Sequence, residues 1–478
     1  MHRLVIGAHF VMTLLGACST RQVCQFFELT GLDRFIASSY GTQQKVAVKM
    51  EASIAEYDRE EKSRLSEMMT PKEISTCQDE TFHPEACLVA IEPVSNFILL
   101  EKYADGRKAS DWTNAMEEAV MDMPITIVQS TSDLGTGIVR HVKIELGAHH
   151  SPDVFHVQYE ITKAASAPLS SKTKKAKKNL EKAGEEVKRR IQKKQDFANG
   201  KRRPGRPPDF DKRIEQAILE EQEARAPFDS AEANQNRMKE ATRRISKAYH
   251  PVDLETGKLN EAEDVSESLE ECFSEIETSA SEANLKESSW KRIKKAKKVV
   301  VDMVATILFF HMTVRAKIEA LSLPMEVEGA IFDHLLPAMY IGRGAEKQKR
   351  AEDRHRLRRK SDELRLPLQG PKSPLKGLDP KELEVIERVC EECADLFQPA
   401  SSCVEGRNGQ LSLRHHSLHR LSDRKLTALT AVHNFYIKRR DGTTPASRFF
   451  GAKPRDLFEY LLSKVDLPGR PAQKRAVA

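Results

Sequence analysis

Three acidic residues have the types and settings that suit a hard divalent cation. Asp79 sits in Cys77-Gln78-Asp79-Glu80-Thr81-Phe82-His83-Pro84, beside the start of a short apolar strand ending at Glu92. Another strand, Ser95 to Glu101, follows at once, and Asp133 ends the apolar run Ile125-Thr-Ile-Val-Gln-Ser-Thr-Ser-Asp133. Glu405 lies in Cys403-Val404-Glu405-Gly406-Arg407-Asn408, near the start of a polar, basic helix. Carboxylate oxygens from two strand ends and a helix suit Mg²⁺ or Mn²⁺. Two such ions about 4 Å apart can activate a water or hydroxyl and neutralise the leaving oxygen of a phosphodiester. Clustered carboxylates repel, so the cluster needs cations or protons to compensate it. Glu80 adjoins Asp79, but neighbouring strand side chains point to opposite faces, so only one of the two joins the cluster.

The elements that must position these residues follow from local pattern. Strands are expected over about 86–92, 96–102 and 125–130, with helices over 111–120 and 135–146. Strand, strand, helix, strand and helix, with acids at strand ends, leaves one piece of the core missing, and that piece should hold the third carboxylate. From Ser166 to about Pro399 the β character almost disappears. This stretch holds the basic tract 172–206, charged helices, an acidic serine-rich stretch and one apolar helix near 290–320. Residues 1–45 read as one amphipathic helix, a Gly31 turn and a short helix, and 46–70 as a charged amphipathic helix.

Several motifs, in this order, resemble a DDE-type transposase of a bacterial insertion sequence. They are Asp79-Glu-Thr-Phe-His-Pro84, Ser132-Asp133, Ser151-Pro-Asp-Val-Phe-His-Val157, Val404-Glu405-Gly-Arg-Asn408, Val432-His-Asn-Phe-Tyr436, Asp441-Gly-Thr-Thr444, Arg448-Phe-Phe-Gly451 and Pro454-Arg-Asp-Leu-Phe458. The resemblance implies an α/β fold with a ribonuclease-H-like core, a mixed sheet with flanking helices. A large all-α insertion interrupts it, and a small helical N-terminal unit precedes it. The expected boundaries are 1–70 for the N-terminal unit, which could be a helix-turn-helix, 75–165 and 400–465 for the split core, 166–399 for the insertion and 466–478 for a basic tail. It further implies two Mg²⁺ or Mn²⁺ ions, with Asp79 bridging both, Asp133 holding one and Glu405 the other. Asp153, His156, Arg407 and Asn408 become accessory candidates near the scissile phosphate. The bland alternatives are that Asp153 caps its own helix while His156 packs, and that Arg407 and Asn408 cap theirs.

Composition fits such a role. The 478 residues carry a net charge of +6, with 31% charged and 39% hydrophobic residues, and the basic residues come in blocks. Lys174, Lys175, Lys177, Lys178, Arg189, Arg190, Arg202, Arg203 and Arg206 are candidate contacts to a DNA backbone. Arg203-Pro-Gly-Arg-Pro-Pro208 is similar to a minor-groove AT-hook with an intruding proline. The expected partner is DNA, both inverted-repeat ends and target, bound by a homodimer or larger assembly in the cytoplasm with the nucleoid, without a membrane. Cys390-Glu-Glu-Cys393, with Cys403, His415, His416 and His419 downstream, has zinc-like spacing, but its cysteines fall on apolar positions of a helix and read as buried thiols. The N-terminal Leu14-Leu-Gly-Ala-Cys18 is lipobox-like, yet His9 interrupts its apolar run. Two rival readings remain: a DNA-binding protein with an inactive core, and a lipid-anchored envelope protein.

Overall fold

A computed structural model describes residues 1–82, 85–200, 208–418 and 421–470, without the side chains at 413 and 415–418. The fold is α/β, with one five-stranded mixed sheet and many helices. The chain divides into two compact units, Met1–Asp153 with Asp395–Ala478, and Val154–Ala394. The strands are β1 (Lys72–Phe82), β2 (Ala86–Glu92), β3 (Phe97–Ala104), β4 (Ile125–Ser132) and β5 (His149–Pro152). Five helices matter below: α1 (Tyr40–Met68), α2 (Val154–Asn199), α3 (Phe210–Ala248), α4 (Ser402–Leu418) and α5 (Asp423–Phe435).

The sheet order is β3-β2-β1-β4-β5. β2 is antiparallel to both β1 and β3, whereas β4 runs parallel to β1 and β5 parallel to β4. Three strands match the expected ones within two residues. β1 and β5 do not, and Asp79 therefore lies inside a strand rather than ahead of one. The reason is physical. Ile74 to Gln78 are buried without interruption, as in a central strand covered on both faces, yet Ser75, Thr76 and Gln78 are polar. Neither alternation nor an apolar run marks such a strand. β5 is four residues long and includes His149 and His150.

The polar side chains at the sheet centre must find partners, because a buried polar group without one costs about 1–3 kcal/mol. Gln129 bonds Ser151 and Ser132 bonds His150 within the sheet, while other partners come from the segment that leads into α4. Ser75 Oγ donates to the Leu396 carbonyl at 2.7 Å, and Thr131 Oγ1 to the Gln398 carbonyl at 2.7 Å. Cys77 Sγ adds a weak bond to the Ala400 carbonyl at 3.7 Å. This segment is thereby laid across β1 and β4, and it delivers α4 to the sheet.

The N-terminal helices are not a separate unit. Ile6, Phe10 and Leu14 share one core cluster with Met50, Ile54 and Tyr57 of α1, the sheet residues Leu88 to Ile91, and Leu429 and Phe435 of α5. The single N-terminal helix expected is broken between Gly16 and Ser19, where Ala17 takes a positive φ and Ser19 caps a new helix. Gly31 does adopt the left-handed conformation that ends it.

The second unit begins at Val154 and ends at Ala394, which moves both expected insertion boundaries N-terminally. Its longest helices, α2 and α3, pack along each other, and each carries an internal proline, Pro168 and Pro227. The apolar helix expected near 290–320 corresponds to Glu287–Glu319. It is long enough to cross a membrane, and its most apolar 18 residues have a mean hydropathy of 1.6 and are 39% buried. Cys390 and Cys393 are fully buried thiols in Pro380–Leu396. His415, His416 and His419, and tail residues 471–478, lie outside the described residues or side chains.

β3 is an edge strand, and exposed strand edges invite wrong pairing. Asn434 of α5 covers it: its Oδ1 accepts from the Ile98 amide at 2.9 Å and its Nδ2 donates to the Ile98 carbonyl at 3.0 Å. Phe97 stacks on Phe449 at 4.5 Å, and Arg448 donates to the Ser95 carbonyl in the β2–β3 turn. Asn434→Ala should therefore leave two strand groups unpaired and cost about 3 kcal/mol in urea unfolding. A loss below about 0.5 kcal/mol would show that the edge does not need this side chain.

Candidate functional site

The parallel pairing of β1 with β4 places Cys77 opposite Thr131. Counting two residues on from each brings Asp79 level with Asp133, one position past β4, and the shared parity sends both side chains to the same face. Both are half-buried. Asp79 Oδ1 accepts from the Glu80 amide at 2.8 Å, and Asp133 Oδ1 from the Gly135 amide at 2.8 Å. Glu80 points the other way, as pleating requires, and takes bonds from Arg107 at 3.1 Å and Trp112 Nε1 at 3.3 Å.

Glu405 lies in the first turn of α4, exposed, on a helix that packs against β1 and β2. Three anchors fix that helix. At its start, Asp153 Oδ2 accepts from the Ser401 amide at 3.2 Å and from the Ser401 hydroxyl. One turn on, Arg407 makes a two-pronged pair with Glu101 of β3, at 2.8 and 2.6 Å, and Thr430 also donates to Glu101. Further along, Arg414 donates to the Thr13 carbonyl at 3.0 Å.

These anchors revise the accessory roles. Arg407, expected at a phosphate or as a helix cap, is buried with its guanidinium turned into the sheet. Asp153 reaches across to Ser401, the residue that leads into α4. Asn408 is half-buried, and its Oδ1 is shut off from solvent with no hydrogen-bond partner among the described residues. His156 is half-buried in the first turn of α2, in the second unit, with the Phe155 ring edge-on at 6.5 Å. Glu101, Ser401 and Thr131 escaped sequence reasoning, although Glu101 was visible as a charge ending an apolar strand.

The donor set of Asp79 and Asp133, oxygen ligands on adjacent strands, fits a hard divalent cation. Glu405 is carried on α4, which packs against β1, the strand of Asp79, and β2. Among the described residues, no three His, Cys, Asp or Glu side chains converge closely enough to hold an ion.

The basic candidates separate by pairing. Lys174, Lys175, Lys177 and Lys178 are exposed on α2, and Lys177 lies 4.0 Å from Glu181. Arg189 and Arg190 instead share Glu186 at 2.6 and 2.5 Å, and their hydrogen bonds hold its carboxyl down to about 2. Arg202, Arg203 and Arg206 lie outside the described residues.

Burial raises the Glu101 carboxyl, but the Arg407 charge and bonds outweigh it and hold it below the ordinary range. His433, donating toward the Asn96 carbonyl at 2.9 Å, falls to about 4 through burial and then the nearby Arg407 charge. The unfolded imidazole binds its proton near 6.5, so between pH 6.5 and about 4 only the unfolded chain takes that proton. The stabilisation is complete above pH 6.5 and declines as pH falls to about 4. His433→Gln keeps a donor there, and it should flatten the unfolding free energy against pH by about 3 kcal/mol over this window. An unchanged slope would mean that His433 is not buried neutral.

One protein family, described as "Family of unknown function (DUF6399)", matches residues 331–477, which takes in α4 and α5 but no strand of the sheet. Comparison with curated proteins gives no match.

Proposed function

We propose that the chain is a divalent-metal-dependent DDE-type transposase, cleaving phosphodiesters at the ends of its insertion sequence and joining them to target DNA. The observation that carries this reading is the β1–β4 register, which pairs Cys77 with Thr131 and, carried two residues on, brings Asp79 level with Asp133 just past the end of β4. The mixed order β3-β2-β1-β4-β5, with a helical unit entering after β5 and a carboxylate-bearing helix on its return, supports a ribonuclease-H-like core split by an insertion. Asp79, Asp133 and Glu405 would hold two Mg²⁺ or Mn²⁺ ions, which supply charge neutralisation and an activated water or 3′-hydroxyl. The protein's own part is to keep three like charges on rigid elements. The exposed α2 lysines would bind the DNA backbone without reading sequence. The enzyme would work on DNA in the cytoplasm as a homodimer or larger assembly.

DNA carrying the element's own ends tests the reading. With Mn²⁺ or Mg²⁺, Asp79→Ala, Asp133→Ala and Glu405→Ala should each lower cleavage by about a thousandfold, the worth of several kcal/mol of charge stabilisation, while DNA binding survives. Retained cleavage in Glu405→Ala would move the third ligand elsewhere. No cleavage by the wild-type chain, with DNA binding intact, would sustain the inactive DNA-binding reading instead. Replacing Lys174, Lys175, Lys177 and Lys178 together by Ala should lower the slope of log affinity against log salt by about 3. An unchanged slope would remove α2 from the DNA surface.

A further inference from the structure

We propose that Asp153 is the positioning residue that sets Glu405 against the Asp79–Asp133 pair, a role that rests on the metal-dependent reading of those three carboxylates. A continuous run of hydrogen bonds carries it. The Asp153 amide donates to the Ser132 carbonyl at 3.0 Å, next to Asp133. The Asp153 carboxylate accepts from the Ser401 amide at 3.2 Å and from its hydroxyl. The Ser401 carbonyl in turn accepts from the Val404 amide at 2.9 Å and from the Glu405 amide at 3.4 Å. Three short links thus join the backbone beside one proposed ligand to the backbone of another.

The bonded residues of this run ahead of α4 are buried. Ser132 and Ser401 are fully buried and Asp153 is 2% exposed. Asp153 is also the last residue of the first unit before the chain leaves it, and Ser401 follows soon after the return at Asp395. The pair therefore fixes the phase of α4, and so the direction of Glu405, independently of how long the intervening chain is. Losing it would free Ser401, whose carbonyl holds the Val404 and Glu405 amides, and let the first turn of α4 slide or fray. Groups that orient metal ligands are typically worth 10–100-fold in metal affinity.

The separating variant is Asp153→Asn. An asparagine keeps an oxygen for the Ser401 amide and can donate to its hydroxyl, but it removes the negative charge that a metal ligand needs. Mn²⁺ titration of the full-length chain, read by the EPR signal of free Mn²⁺, should show affinity about tenfold weaker in Asp153→Ala and near wild type in Asp153→Asn. Hydrogen exchange at the Glu405 amide should quicken in Asp153→Ala alone. Equal loss of Mn²⁺ affinity in both variants would overturn the positioning role and make Asp153 a ligand. Wild-type affinity and exchange in Asp153→Ala would overturn it too. Should Asp153→Ala fail to fold, Ser401→Ala removes only the hydroxyl bond. A weaker Mn²⁺ affinity there supports the role, and an unchanged one overturns it. A wild-type chain that binds no Mn²⁺ overturns the metal reading itself, and this role with it, a result distinct from wild-type binding that Asp153→Ala leaves intact.

Discussion

The first unit depends on satisfying a polar sheet centre. Ser75, Thr76 and Gln78 of β1, Gln129 to Ser132 of β4, and His150 and Ser151 of β5 are all buried. In most sheets these positions would be Val, Ile or Leu, held by area alone. Here part of the stabilisation must come from hydrogen bonds of fixed length and direction. Two of those bonds, from Ser75 and Thr131, reach the segment that leads into α4, so the C-terminal portion of the chain completes the sheet rather than adding to it. Apolar burial would tolerate small slides of that segment, whereas hydrogen bonds from Ser75 and Thr131 do not.

That requirement explains how a unit split by a long insertion can hold together. Closing a loop costs only slowly more as the loop lengthens, so the size of the second unit adds little penalty. What must be strong is the seam, and it is. Asp153 on the way out bonds Ser401 on the way back, with the sheet-centre bonds beside it. The buried Glu101–Arg407 pair then pins the next turn of α4 to β3. A buried ion pair is a modest source of stability against an apolar replacement, but breaking one partner leaves a costly lone charge. Its service here is to allow one seating of the helix and penalise others.

Charge in the second unit obeys a different logic. On α2 the arginines pair within their own helix, through Glu186, while the lysines between residues 174 and 178 stay exposed. Exposed pairs of this kind contribute little stability, so their effect is to remove Arg189 and Arg190 from the cations offered to a partner. A sequence count of basic residues overstates the field that the surface presents.

How much was legible follows from which forces are local. Apolar β-runs such as 86–92 declare themselves as unbroken apolar stretches buried on both faces, and the amphipathic helix at 109–120 because burial on one face leaves a period in the sequence. The acids Asp79, Asp133 and Glu405 could be singled out by type and setting, as could the buried setting of Cys390 and Cys393. The sequence could not reveal β1, because a strand buried on both faces with a polar interior has no period to read. Nor could it show that Asp79 and Asp133 lie level, since register is a property of two strands together. The fates of Arg407 and Asp153 were likewise undecided, because each found its partner hundreds of residues away: Arg407 at Glu101 and Asp153 at Ser401. Residue chemistry is local and was determined by the sequence alone. Which charges face each other, and which are spent holding a helix in place, only the packed tertiary structure decided.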